Sequence, residues 1–212
     1  MTKQQWRIIV GINLLTGLTI LSPFLPGPSF LSGTTNLIFS LLQLVSIFGL
    51  ILIPIGLLWN LLEIIKVRKQ ANKKQKVFPI LLWTIPLILI TNSIWVAEAM
   101  RDFSRKFAIS NAGNLIAAIE SFNRDNNEYP DKIEGLSPKY LKRTPSPWIM
   151  GIPEYSYNKK NDSFNLTFSQ NVIIGFNFEV VVYDPTENHK AEGELTTLYE
   201  TGKDKWKYYI YD

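Results

Sequence analysis

A chain of 212 residues with 22 Lys and Arg, 18 Asp and Glu and no cysteine has room for one soluble domain, or for a membrane anchor with a smaller domain. The missing thiols exclude disulfides, zinc–thiolate centres and cysteine nucleophiles. A net charge of +4 and a pI near 9.1 would point towards nucleic acid, but the charge is unevenly divided. Residues 1–97 carry eight basic residues against one acid, Glu63, whereas 98–212 carry 14 basic and 17 acidic residues. The positive charge lies outside the water-facing half, so nucleic acid is discounted as a partner.

Three apolar runs match the roughly 20 residues of a bilayer-spanning helix. They are Ile8–Leu25, Leu37–Leu58 (continuing as helix towards Ile65) and Val77–Ala97. The connection Pro26–Thr35 is rich in turn residues and uncharged, while Lys66–Lys76 holds six basic residues and no acid. Short basic loops stay in the cytoplasm. Lys3 and Arg7 therefore place the N-terminus inside, with the neutral loop outside, the basic loop inside and residues 98–212 outside. No small-x-small cleavage site falls near Leu21–Gly33, so the first segment is expected to be retained. Within the spans the polar residues are Asn13, Thr16, Gln43, Thr84, Thr91, Asn92 and Ser93. None is ionisable, which argues against an ion pathway, and the amides are expected to bond between helices or between chains. Pro54, Pro79 and Pro86 are expected to kink or start helices.

Beyond Glu98 the polarity changes but helical spacing continues. Phe103, Phe107, Ala108, Ala112, Leu115, Ile119 and Phe122 form an apolar stripe, with Arg101, Asp102, Arg105, Lys106, Asn114 and Arg124 off it. The third span is thus expected to continue as one helix from Val77 to Asn126, stopped by Tyr129-Pro130. Helical turns follow at 132–136 and 138–142. Strands are predicted at 155–159, 163–169, 176–184 and 206–212, with a polar hairpin turn at Lys159–Asp162. Residues 185–205 read as a long charged loop with a weak strand at Glu194–Tyr199. The fold class is an α+β membrane protein: an anchor over 1–97, then a domain over 98–212 with one long helix packed on a small antiparallel sheet.

The passage "LIAAIESFNRDNNEYPDKIEGLSPKYLKRTPSPW" followed by "YSYNKKNDSFNLTF" resembles the globular part of type II secretion major pseudopilins and related type IV pilin-like proteins. The matching residues are Ala118, Ile119, Phe122, Asp125, Asn126, Tyr129, Pro130, Leu136, Pro138, Tyr140, Leu141, Pro145, Pro147 and Trp148, then Tyr155, Tyr157, Phe164 and Leu166. The resemblance covers residues 97–170. It implies a pilin-like domain, a bacterial envelope setting and contacts with other envelope proteins or with further copies of the chain. Two departures stand out: the segment "KKQKVFPILLWTIPLILI" lacks the Gly and Glu of a prepilin processing site, and two spans precede it. Processing by a prepilin peptidase is therefore not expected. The family often binds calcium in its later β region, where the acids here are Asp184, Glu187, Glu192, Glu194 and Asp204. Their spacing matches no calcium loop of six to eight oxygen ligands.

The sequence offers little for catalysis. His189, the single histidine, sits in a charged segment and is expected to be exposed. There is no Gly-x-Ser-x-Gly elbow and no phosphate-cradling glycine loop. Asp125, Glu128, Asp131 and Glu134 cluster after the helix, where solvation of a helix end explains them better than a glycosidase pair. The tripeptides at 161–163 and 165–167 fit the glycosylation pattern, which is accidental in a bacterial protein. Trp206, Tyr208 and Ile210 are expected on one strand face and Lys207, Tyr209 and Tyr211 on the other, both covered. The expected function is non-enzymatic: a bacterial plasma-membrane protein presenting its domain for protein–protein contact, without catalytic, cofactor or metal residues. The alternative is a sensor that signals through the third helix.

Overall fold

The computed structural model describes residues 1–70, 74–173 and 176–212. Lys73, one of the basic residues expected to fix the cytoplasmic loop, lies outside the described residues. The chain divides into two compact units, one of Met1–Ser22 with Leu37–Ala99 and one of Pro23–Asn36 with Met100–Asp212.

The first unit is helical. α1 (Lys3–Leu21) starts from a capping box: Gln5 N–H donates to Thr2 Oγ1 over 3.2 Å, and Thr2 N–H donates to Gln5 Oε1 over 2.9 Å. The helix begins earlier than the apolar run and stops four residues before its end. Pro23 cannot continue an i→i−4 ladder, and a short 3-10 turn, Ser22–Phe24, takes over. α2 (Ser32–Lys69) has 38 residues, or about 57 Å at the standard rise. It thus outruns its expected apolar boundaries at both ends and carries Pro54 inside. α3 (Phe78–Thr91) has Pro79 in its first turn, where the missing N–H costs nothing.

α2 meets α3 where glycines remove side chains. A Cβ on Gly56 would lie 2.9 Å from Trp83 N, and one on Gly49 would lie 2.7 Å from Pro86 Cβ. Small residues permit this close approach in apolar bundles, where packing replaces the hydrophobic effect. Within the chain the side-chain amides of Asn13 and Asn92 each donate 2.8 Å to the carbonyl four residues back, Ile9 and Ile88. Two other amide bonds tie the loop before α3 to α1 and α2. There Gln5 Nε2 donates to Gln75 O and Gln75 Nε2 to Asn60 Oδ1, each at 2.9 Å. Leu14, Leu15, Leu18, Phe48 and Ile51 stand exposed, and among the described residues three helices are long and apolar enough to cross a membrane.

Helical backbone runs on from α3 through one π turn, Asn92–Val96, into α4 (Ala97–Asn126). The expected helix Val77–Asn126 is therefore present from Phe78 with a single irregularity, about 73 Å in all. In the second unit α4 faces five antiparallel strands: β1 (Ser156–Lys159), β2 (Phe164–Ile173), β3 (Asn177–Tyr183), β4 (Tyr199–Glu200) and β5 (Trp206–Tyr211), in the spatial order β1-β2-β3-β5-β4. The predicted hairpin turn closes β1 onto β2, with Lys160 N–H donating to Ser163 O over 2.8 Å. β2 outlasts its prediction by four residues, and the weak strand shrinks to β4, a two-residue edge on β5.

One apolar cluster joins Ala108, Ala112, Leu115 and Ile119 of α4 to Leu166, Phe168, Val181 and Trp206 of the sheet. Phe164 is fully buried among the rings of Tyr129, Tyr157 and Tyr183. Two residues depart from the expected stripe, one on it and one off it. Phe103 is 45% exposed, and Arg105, read as an off-stripe residue, is buried. On β5, Trp206 faces the core, Tyr209 is buried on the opposite face, and Tyr211 is exposed, so only part of that second face is covered as expected.

Candidate interaction surface

The segment Pro23–Asn36, which reads in sequence as a plain connection, is built into the α+β unit. Pro26 and Ile149 form an antiparallel bridge. Gly27 N–H donates to Trp148 O over 3.0 Å, Met150 N–H to Leu25 O over 3.0 Å and Gly151 N–H to Pro23 O over 2.7 Å. Side chains complete the clasp: Thr35 Oγ1 donates to Met150 O over 2.7 Å, Asn36 Nδ2 to Gly151 O over 2.9 Å, and Ser29 and Ser146 share a hydroxyl bond of 2.8 Å. Phe24, Ile149 and Ile152 are fully buried. Gly27, Ser29, Ser32 and Thr35 are buried in it, where an isolated charge would be costly, whereas Pro26, Phe30, Gly33 and Thr34 stay exposed.

The clasp fixes Trp148. Its backbone takes a left-handed conformation, φ 54°, which is costly for a bulky residue. Gly27 holds its carbonyl and Ser146 Oγ accepts its N–H at 3.2 Å. The indole is 52% exposed and stands at the edge of a groove of about 990 Å³. One wall of the groove is α4, presenting Phe107, Asn111, Asn114 and Ser121; the other is the chain from Tyr140 to Trp148, with Lys142 and Arg143 on it. Asn111 Nδ2 ties the walls together by donating 2.8 Å to Pro147 O. At the far end Tyr140 packs on Phe122, and its hydroxyl donates to Asp125 Oδ2 over 2.8 Å. Lys139 holds the Asp125 carboxyl below its usual range.

A second polar assembly lies between α4 and the sheet. Arg105 meets Glu179 at 2.8 Å and Asp102 at 2.7 Å, and its guanidinium sits 3.9 Å over the Tyr208 ring. Gln170 Nε2 donates to Glu179 Oε1 over 2.8 Å and to Arg101 O over 3.1 Å, while Ser104 bonds Gln170 Oε1. Burial pushes the Glu179 carboxyl up against the pull of Arg105. Burial also works against the Arg105 charge, but Glu179 and Asp102 outweigh it and raise its pKa. Such a buried pair fixes register between helix and sheet more than it adds stability.

Of the acids considered for calcium, Asp184 is held by partners within the protein. Asp184 is fully buried: its Oδ1 accepts from Thr186 N–H and hydroxyl at 2.8 and 2.6 Å, and its Oδ2 meets Lys160 at 3.0 Å. Burial alone would raise its pKa, but these partners hold it below the carboxylate range. Among the described residues no group of three or more His, Cys, Asp or Glu is arranged to hold a metal ion. The acidic cluster after α4 is dispersed, since Asp125 pairs with Lys139 and Asp131 with Lys159. His189 is half-buried rather than exposed, with Nε2 3.1 Å from Lys205 O.

Sequence reasoning missed the clasp and the Arg105–Glu179 pair. Glu179 had a readable signal, because strand alternation puts it on the face of Val181 and Tyr183. Comparison with protein-family models, with curated proteins and with solved structures gave no match.

Proposed function

We propose that this chain is a multi-pass bacterial plasma-membrane protein that presents a pseudopilin-like domain outside the cell membrane for contact with envelope proteins or further copies of itself. The observation that carries this reading is Trp148: a strained, exposed indole locked in place beside a long groove of mixed polarity. Rigid exposed aromatics flanked by polar groups and arginine are the usual anchors of protein interfaces. The orientation draws support from the clasp, which requires Pro23–Asn36 and the α+β domain to share one side of the bilayer. The charge asymmetry independently asks for the same arrangement. The long helix, the sheet and the ordered motifs from Ala118 to Leu166 support the pseudopilin likeness.

The second reading, a sensor signalling through the helix, draws on the π turn Asn92–Val96, since such turns recur at functional bends. A photo-crosslinking amino acid at Trp148 and at Ser121 in the full chain, in its native membrane, tests the interface reading. Both positions are expected to form discrete adducts with an envelope protein or a second copy. Lys142→Glu with Arg143→Glu is expected to reduce adduct yield several-fold without loss of the protein. Absence of adducts at both positions, beside a signalling defect on deleting one residue of the π turn, would favour the sensor.

A further inference from the structure

We infer that one end of the sheet rests in the lipid headgroup region, making the domain a second, peripheral membrane contact of this chain. The two ends of the sheet differ in kind. At one end the turns are polar: Lys160–Ser163 closes β1 onto β2, and Lys203, Asp204 and Lys205 lead into β5, where Asp184 N–H donates to Lys205 O over 3.0 Å. At the other end the exposed side chains are apolar. Ile173 at the end of β2 and Phe176 just before β3 are 53% and 75% exposed, and Phe176 N–H donates to Ile173 O over 2.9 Å. Tyr211, paired with Phe178, is 44% exposed, and Leu195 is 50% exposed. Asp212 Oδ1 brings Leu195 to the same end by accepting its N–H at 3.3 Å.

The apolar end is the one from which the chain departs into its apolar helix. Gln170 on β2 meets the carbonyl of Arg101, near the beginning of α4, whereas Phe164 at the other end of β2 packs on Tyr129, beyond the α4 terminus. Ile173 lies three residues further along β2, roughly 10 Å beyond Gln170. That places the tip on the side where α4 adjoins the apolar stretch ending at Ala97. Exposed apolar clusters of this kind are rare on water-facing surfaces, and aromatic side chains at the membrane level collect in the interfacial belt. The charged groups towards this end are of both signs, Glu194 and Asp212 beside the tip and Arg101, Asp102, Arg105 and Lys106 at the start of α4. The fitting surface is therefore a zwitterionic phosphatidylcholine-like interface, entered to the 5–10 Å typical of interfacial segments. The inference needs the apolar helix before α4 to lie in the bilayer, and it holds for either orientation of the chain.

The absence of cysteine allows a direct test. Single variants Phe176→Cys, Leu195→Cys and Asp162→Cys of the full chain are labelled with an environment-sensitive fluorophore and placed in phosphatidylcholine nanodiscs. Labels at 176 and 195 are expected to emit further to the blue, to lose most of their intensity to shallow spin-labelled lipid and to resist aqueous iodide. The label at 162 should behave oppositely. If 176 and 195 are quenched by iodide as readily as 162, the inference fails. It fails equally if they resist both quenchers, since protein rather than lipid would then cover them.

Discussion

Replacing Arg105 with methionine is expected to destabilise the α+β unit by about 3–5 kcal/mol, the cost of leaving a buried partner charge unpaired. Glu179 is 2% exposed and would keep only the Gln170 amide as a hydrogen-bond donor among the bonds described above. The double variant Arg105→Met with Glu179→Leu is expected to recover most of the loss, because two apolar side chains of similar volume need no partner. The deficit of the single variant is also pH-dependent. Burial raises the Glu179 pKa in the folded state, and more so without Arg105. A raised carboxyl favours folding below its unfolded value of about 4.3 and loses that contribution as pH rises through the folded pKa. The single variant should therefore approach the parent near pH 4 and fall away towards neutrality. Hydrogen exchange of the β3 and β5 amides in the full chain reads this directly. A cost below about 1 kcal/mol at neutral pH would show that water reaches the pair.

Substituting valine for Gly151 is expected to release the clasp. A Cβ there would lie 2.5 Å from Pro23 O and 2.9 Å from Pro23 Cα, both backbone atoms that cannot swing away. Overpacking of this type costs about 1–3 kcal/mol. The loss should be local: faster exchange and easier proteolysis across Pro23–Asn36, with β2 and β3 still protected. Trp148 should lose its fixed orientation, because its carbonyl is held by Gly27, and crosslinking from Trp148 should fall with it. Gly113→Ala serves as the control. It sits on α4 with nothing within 4 Å of a new Cβ, and alanine there should stabilise by about 0.5–1 kcal/mol.

Neither of these two sites is read from the sequence. The helix from Phe78 to Asn126 was legible because its apolar spacing persists through the change from lipid-like to water-like composition. Strands β1, β2, β3 and β5 were legible from alternation and from turn residues such as Asn161 and Asp162. Arg105 was misread because residue type outweighed position: it lies three residues before Ala108, on the buried face, and its acceptability there depends on Glu179 in a distant strand. Phe103 was misread for the converse reason. The clasp left almost no local trace, since its bonds join segments far apart in the chain and half of those described are between backbone groups. Its few marks are Gly27 and Gly151, where a Cβ would meet Met150 and Pro23, and an uncharged loop that local composition explains equally well as a turn. Trp148 was readable as part of a motif, but its exposure depends on the strained backbone that the clasp enforces.

In the proposed orientation the clasp loop and the α+β domain share the outer side of the membrane while the basic loop stays inside. Cysteine accessibility in intact bacterial cells tests it most directly, again because the parent chain has no thiol. With a membrane-impermeant maleimide, Phe30→Cys and Asp162→Cys should label at once, and Gln70→Cys should label after permeabilisation alone. Labelling of Gln70→Cys in intact cells with protection of Phe30→Cys and Asp162→Cys would contradict the account.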